Sequence, residues 1–223
     1  MIDYDFDSIA SDELYRLCDE HLRLQSLADS NPDLMQYTPG ARHKLAPHPP
    51  VEYEIRYTLR SIVGTAEDRT PVYGDEHKLK ILLPREYPLG PAECRMTSDT
   101  WHPNIKSDGD FKGNICTNHG GFGTLYYLDE LVVRIGEFLQ YKRYLAEDKK
   151  PFPEDQKVAR WVRDFAEPNG IVDKDQARAI DDRPWKWLPP DLNDNPDEIM
   201  IEEITDSSTV GATTEDGDDI QFI

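Results

Sequence analysis

Apolar positions along the chain change period several times, and each change marks an element. Leu14, Leu17, Cys18, His21, Leu24 and Ala28 recur at helical spacing, which lays one apolar stripe along a helix. Ser11 or Asp12 stands where an N-cap belongs, Glu13 falls in the first turn, and Asn31-Pro32 ends the run. A long connection bearing proline and histidine leads to Pro49-Pro50. Over residues 51–63 the period drops to two. Tyr53, Ile55, Tyr57 and Leu59 face one way, while Glu52, Glu54, Arg56, Thr58 and Arg60 face the other. That is the pattern of an antiparallel strand buried on one face. After a polar turn over 64–70, Leu79, Ile81 and Leu83 alternate with outward Lys78 and Lys80 until Pro84 stops the strand. A third, short alternation runs through Ala92, Cys94 and Met96.

The strongest helical period lies within 125–145, where Leu128, Leu131, Val132, Ile135, Phe138 and Leu139 predict a core helix. Val158, Trp161, Val162 and Phe165 form the buried face of another helix. Pro153 suits its first turn, with Glu154 and Asp155 at the positive end of its dipole and Pro168-Asn169-Gly170 closing it. The order predicts an α+β fold: an N-terminal helix on an antiparallel meander of three to four strands, a long loop, and two further helices.

The long loop, residues 98–123, is where chemistry concentrates, since loops of this length inside compact domains are usually functional. It is preceded by Tyr87-Pro88-Leu89-Gly90-Pro91 and contains Trp101-His102-Pro103-Asn104-Ile105 and Gly113-Asn114-Ile115-Cys116. Proline fixes φ and lacks an N–H, so both Pro-bearing stretches are turns. Cys116 is then a thiol on a loop with a rigid helix behind it, and Asn104 is an amide on a Pro-Asn turn. Together they offer a nucleophile and a fixed donor for an oxyanion. Each has a plainer reading: a lone loop cysteine is most often an ordinary buried thiol, and Asn104 also suits an Asx turn. His102, just before Pro103, reads as a structural hydrogen-bonder rather than a base. His119 invites a Cys–His dyad with Cys116, against the plainer reading of a solvated loop histidine. Cys18, on the first helical stripe, reads as a small buried hydrophobe.

Tyr-Pro-x-x-Pro, then His-Pro-Asn-Ile, then Gly-Asn-Ile-Cys with a helix downstream resembles the ubiquitin-conjugating enzyme family, over roughly residues 12–170. The resemblance selects that family's architecture among α+β folds. It implies that Cys116 accepts a ubiquitin-like modifier's C-terminus from an activating enzyme as a thioester and passes it to an amine on a protein target. It implies Asn104 as oxyanion donor, with His102 and Pro103 structural beside it, and no cofactor or metal. An acidic residue after the second helix often serves the incoming lysine in that family, and Glu147 and Asp148 occupy a comparable loop; Asp148 is the choice here. Several features depart from the family's pattern. The spacing from Asn104 to Cys116 is stretched by residues that include 108–112. Ala92 replaces the second proline of a Pro-Pro pair, and the tryptophan expected after the cysteine is missing, with Phe122 as a substitute. Such divergence is similar to conjugating enzymes of bacterial ubiquitin-like or antiphage operons. The competing readings are a non-catalytic binding module of the same fold and a Cys–His hydrolase.

Composition narrows the setting. The chain has 223 residues, 38% hydrophobic and 31% charged, enough for one sizeable domain and an appendage. No apolar run approaches the ~20 residues that span a bilayer, and the acidic N-terminus does not read as a secretory signal. Three cysteines without ligand spacing fit neither a disulfide framework nor a zinc site. Cytoplasmic location, no membrane and no nucleic acid are the expectations, the last because the net charge is −19. Residues 187–223 carry eleven Asp or Glu and no Lys or Arg, which leaves −8 for residues 1–186. The expected organisation is a lead over 1–10, a catalytic domain over 11–171, an extension over 172–190 that docks through Trp185 and Trp187, and an acidic tail over 191–223 expected to be disordered.

Overall fold

The computed structural model describes residues 4–9, 11–116, 127–175 and 177–186. The first apolar stripe forms helix α1, Asp12–Ser30, with the Ser11 hydroxyl accepting the Leu14 N–H as N-cap. Leu14, Leu17, Cys18, His21, Leu24 and Leu27 are buried, and Ala28 is half-buried at the stripe's edge. The sheet is an antiparallel meander of β1 Met35–Pro39, β2 Glu52–Thr65, β3 Pro71–Leu82 and β4 Glu93–Met96, adjacent in that order. The α+β reading holds. The period-two strand is β2, whose Tyr53, Ile55, Tyr57 and Leu59 are fully buried against α1 and the later helices.

Strand β1 was hidden in the connection that ends at Pro49-Pro50. It pairs from Met35 opposite Tyr57 to Pro39 opposite Tyr53. As an edge strand it needs hydrogen bonds on one side only, so a terminal proline is tolerated. Strand β3 begins well before Leu79, because its first half pairs with the far end of β2, beyond the clear alternation. The β2–β3 register shifts between Thr58 and Ser61 and again between Ile62 and Gly64. These irregularities re-aim the strand. Ile62 leaves the main core and joins a second cluster with Tyr141, Val158, Trp161 and Val162.

Helix α2 spans Leu128–Leu139, and all six positions of its predicted face are buried. It is shorter than the apolar run suggests, since the chain turns at Gln140 and Tyr141, the latter at φ 57°. Its start is held by a residue that the apolar pattern passes over. Glu20 of α1 is fully buried, and its carboxylate accepts the Leu128 N–H at 2.6 Å, the Arg16 guanidinium at 2.7 Å and the Tyr87 hydroxyl. Burial pushes this carboxyl above its ordinary pKa despite the Arg16 charge. One carboxylate thereby ties α1, the Tyr87 turn and the beginning of α2.

The last helix departs from expectation. Pro153 and Glu154 precede it; α3 runs Gln156–Trp161 with Asp155 as N-cap, and continues as a wider π turn over Val162–Ala166. The cap decides the start, because the Asp155 carboxylate accepts the Lys157 and Val158 N–H groups and so satisfies donors that a helix cannot. Gly170, at φ 64°, ends the segment.

Trp185 packs on the domain, and Trp187 lies outside the described residues. The Trp185 ring packs edge-on to Tyr57 with centroids 6.1 Å apart, and its Nε1–H donates to Gln140 Oε1 at 3.0 Å. Arg183 reaches the Asp33 and Thr58 carbonyls while paired with Asp181. The Asn31 amide brackets the Lys186 backbone, donating to its carbonyl and accepting its N–H. One cationic and two amide side chains thus fix a segment that has no secondary structure of its own.

Gly136 marks how closely the extension sits, since a Cβ there would lie 2.2 Å from Trp185 Cζ2. Gly136→Ala is therefore expected to destabilise the protein by about 1–3 kcal/mol through overpacking. In a Trp185→Ala background the same change is expected to be neutral, or stabilising by up to about 1 kcal/mol, the ordinary advantage of alanine over glycine in a helix. Urea unfolding of the four proteins checks this, and a loss of equal size in both backgrounds would show that Trp185 does not fill the space.

Candidate active site

The stretched loop folds as a hairpin. Residues 104–106 run antiparallel to 114–116: Lys106 N–H donates to the Asn114 carbonyl, Ile105 lies opposite Ile115, and Cys116 N–H donates to the Asn104 carbonyl at 2.9 Å. Asn104 and Cys116 are consequently opposed residues, an arrangement that places both side chains on one face of the ladder. The additional residues are confined to the tip over 107–112, which is closed by Lys112 N–H to Gly109 O and Gly113 N–H to Lys106 O. Stretching the spacing therefore leaves the pairing intact.

The second strand of the hairpin also extends the meander. Asn114 pairs with Arg95, and Met96 N–H donates to the Gly113 carbonyl at 2.8 Å. Gly113 sits at φ 85°, where a Cβ would meet Met96 O at 2.0 Å, so only glycine permits this approach. Cys116 is half-buried at the end of that strand. The bulky hydrophobes that precede it, Ile105 and Ile115, belong to the core or pack against it.

The Pro-Asn turn is laced from three sides. His102 is fully buried; its Nδ1 accepts the Asn104 N–H at 3.1 Å, and its Nε2 lies 3.1 Å from the Arg143 carbonyl. Those partners require a neutral ring with the proton on Nε2. The ring stacks on Phe138 with centroids 5.3 Å apart and meets Tyr141 edge-on. Burial holds it neutral, its pKa pushed down to about 3 from the ordinary 6.5. Such a ring is a poor base at neutral pH. Pro103 offers its carbonyl to the Asp155 N–H at 2.8 Å. Asn104 is 2% exposed, and its Oδ1 accepts the Leu145 N–H at 2.9 Å. That bond uses the amide's acceptor; its donors are on Nδ2.

Asp155 anchors the hairpin from below. Besides capping α3 it accepts the Ser107 N–H and hydroxyl, at 2.8 and 2.7 Å, and Lys106 Nζ lies 3.9 Å away. Burial alone raises its pKa, but the hydrogen bonds from Ser107 and Val158 outweigh that and hold it below the usual carboxylate value. Asp148, by contrast, stands exposed in the loop between α2 and α3, next to the Glu147–Lys149 ion pair. Among the described residues no hydrogen bond joins it to the hairpin. His119 and Phe122 lie outside the described residues. In the sequence Asp155 reads only as a helix-dipole residue, and nothing marks Ser107 or Leu145. The available signal was an aspartate just before an apolar helical face, which fits an N-cap; nothing local points from there to Ser107.

Among the described residues no group of His, Cys, Asp or Glu is placed to hold a metal ion, and no helix is long and apolar enough to cross a membrane. Residues 48–152 match the family described as ubiquitin-conjugating enzyme. That span holds β2 to β4, the hairpin, α2 and the following loop, and over it the chain is similar at family level to those enzymes. Among solved structures, a Toxoplasma gondii ubiquitin conjugating enzyme E2 domain matches at 20% identity with a TM-score of 0.46, over 70% of this chain and 90% of that one. A putative ubiquitin conjugating enzyme from Plasmodium yoelii matches at 20% identity with a TM-score of 0.44, over 72% and 89%.

The buried neutral His102 has a consequence for stability. The unfolded chain takes up a proton near pH 6.5 that the folded ring refuses until about pH 3. Its contribution is therefore complete above the first value and is lost progressively as pH falls toward the second. The buried rings of His21 and His77, also shifted down by burial, act in the same direction. His102→Gln is expected to flatten the loss by about 1.4 kcal/mol per pH unit inside that window. Urea midpoints at pH 7 and pH 5 measure this; an unchanged slope would mean the ring is protonated in the folded state.

Proposed function

We propose that this chain is a conjugating enzyme for a ubiquitin-like modifier. The observation that carries the reading is the opposition of Cys116 to Asn104 in the hairpin, which supports a sulfur and an amide acting on one carbonyl. In the first step the Cys116 thiolate attacks the thioester carbonyl carried by an activating enzyme. A new C–S bond forms, the old one breaks, and the activating enzyme's sulfur departs as thiolate. Attacking and leaving sulfurs have similar basicity, so the acyl group keeps its reactivity. In the second step an amine nitrogen of a protein target attacks the same carbonyl, the amide bond forms, and Cys116 leaves as thiolate. The amine proton goes to solvent or to Asp148, whose exposed position in the loop after α2 suits it to orient a lysine ammonium. Asn104 Nδ2 donates to the oxyanion between these states. His102 and Pro103 do no chemistry; they hold the Asn104 backbone in place.

The stretched hairpin and the proline replaced by Ala92 favour a bacterial ubiquitin-like or antiphage pathway in the cytoplasm, with an activating enzyme and a small modifier encoded nearby. The whole reaction needs no cofactor or metal on this chain.

Incubation with the cognate activating enzyme, ATP and modifier tests the reading on a non-reducing gel. A thiol-sensitive adduct is expected, and Cys116→Ala should abolish it. Asn104→Ala should still be charged but discharge to lysine about 10²–10³-fold more slowly, the usual cost of one oxyanion donor. A complex that forms equally well with Cys116→Ala would replace the enzyme with a binding module.

A further inference from the structure

The hairpin that carries Cys116 holds an aromatic ring out in solvent at its other end. Phe111 is 65% exposed, yet the tip bearing it is anchored on every side. Ser107 is bound through its N–H and hydroxyl to buried Asp155. Asp108 pairs with Lys157 at 3.0 Å, and Lys112 pairs with Asp99 at 2.5 Å. The Phe111 carbonyl accepts the Asn114 N–H at 3.0 Å. An exposed aromatic on a loose loop is common and says little. Here the backbone on both sides of the ring is tied to the sheet and to α3, so the ring is presented at a fixed place relative to the sulfur.

We infer that Phe111 and its neighbour Asp110 recognise the protein target, by contact with an apolar side chain and an adjacent cation close in sequence to the acceptor lysine. This rests on the acyl-transfer reading above. The tip begins three steps along the ladder from the Asn104–Cys116 pair, and Phe111 stands five positions before Cys116. At roughly 3.3 Å per residue the ring lies about 10–17 Å from the sulfur. A bound segment in extended form covers that distance in three to five residues. Asp110, exposed beside the ring, gives the tip a negative charge for a basic neighbour.

A short peptide thioester serves as acyl donor for the full chain. Cys116 displaces its small thiol, and mass spectrometry reads the acylated enzyme. Acyl transfer is then followed to peptides with one lysine, carrying either a Leu-Arg or a Ser-Ser pair four residues away on either side. Rates are taken per acylated enzyme. The Leu-Arg peptides are expected to react about tenfold faster on one side of the lysine. That ratio should fall to about one in Phe111→Ser, and Asp110→Asn should remove the part of the preference owed to arginine. Equal rates for both peptides with the unmodified chain, or a ratio that survives Phe111→Ser, would overturn the inference while leaving acyl transfer intact. Failure of Cys116 to be acylated at all would overturn the acyl-transfer reading and this inference together.

Discussion

A single backbone hydrogen bond, Cys116 N–H to Asn104 O at 2.9 Å, sets the register on which the site depends. Antiparallel ladders alternate their side chains, so a slip of one residue would carry the sulfur to the opposite face from the amide. One hydrogen bond of this kind contributes only about 1 kcal/mol net, too little to resist a slip alone. The register is held because both strands are fixed independently. Gly113 locks the second strand to β4 through a contact that excludes any side chain, while buried His102 and Asp155 lock the first. Ile105 and Ile115 add a matched apolar pair that only this pairing brings together.

Two buried carboxylates connect that hairpin to the rest of the fold, and they meet burial differently. Asp155 collects the Ser107 N–H and hydroxyl and two N–H groups of α3, and its pKa is driven down. Glu20 collects Arg16, the Tyr87 hydroxyl and one N–H of α2, and its pKa is driven up because burial prevails. Each meets the start of a helix, where the unsatisfied N–H groups and the dipole favour negative charge. Glu20 joins α1 to α2; Asp155 joins the hairpin to α3.

The apolar periods give α1 and β2 nearly residue by residue, and the buried face of α2, because burial on one face writes itself into the sequence at a constant spacing. What they missed has a common cause. β1 is five residues ending in proline, too short for its alternation to stand out. The start of α3 was placed at Pro153, since proline suits a first turn, but Asp155 offers two capping bonds and moves the start to Gln156. Glu20 lies beside the apolar stripe of α1 and reads there as a surface acid; only its partners, 67 and 108 residues away, make it a core residue. Trp185 was expected to dock, yet its seat on Gly136 depends on a glycine that the helix period treats as a weak position. The site shows the same division. Cys116 and Asn104 stand in recognisable local motifs, whereas Ser107, Leu145 and Asp155 act through contacts that no local pattern encodes.

The contrast between stem and tip of the hairpin explains how a stretched motif retains a close-fitting site. The stem residues have their partners prescribed, Asn104 by Leu145 and Cys116 and Gly113 by Met96, and Ser107 is fixed by Asp155 where the tip begins. Length added there would shift the register and separate amide from sulfur. Length added beyond Ser107 changes only where the turn closes, and its entropic cost grows slowly with the number of residues. Among the described residues the tip is therefore the part of the hairpin whose sequence the Asn104–Cys116 register leaves free. The ion pairs from Asp108 and Lys112 brace its backbone rather than leaving it to solvent.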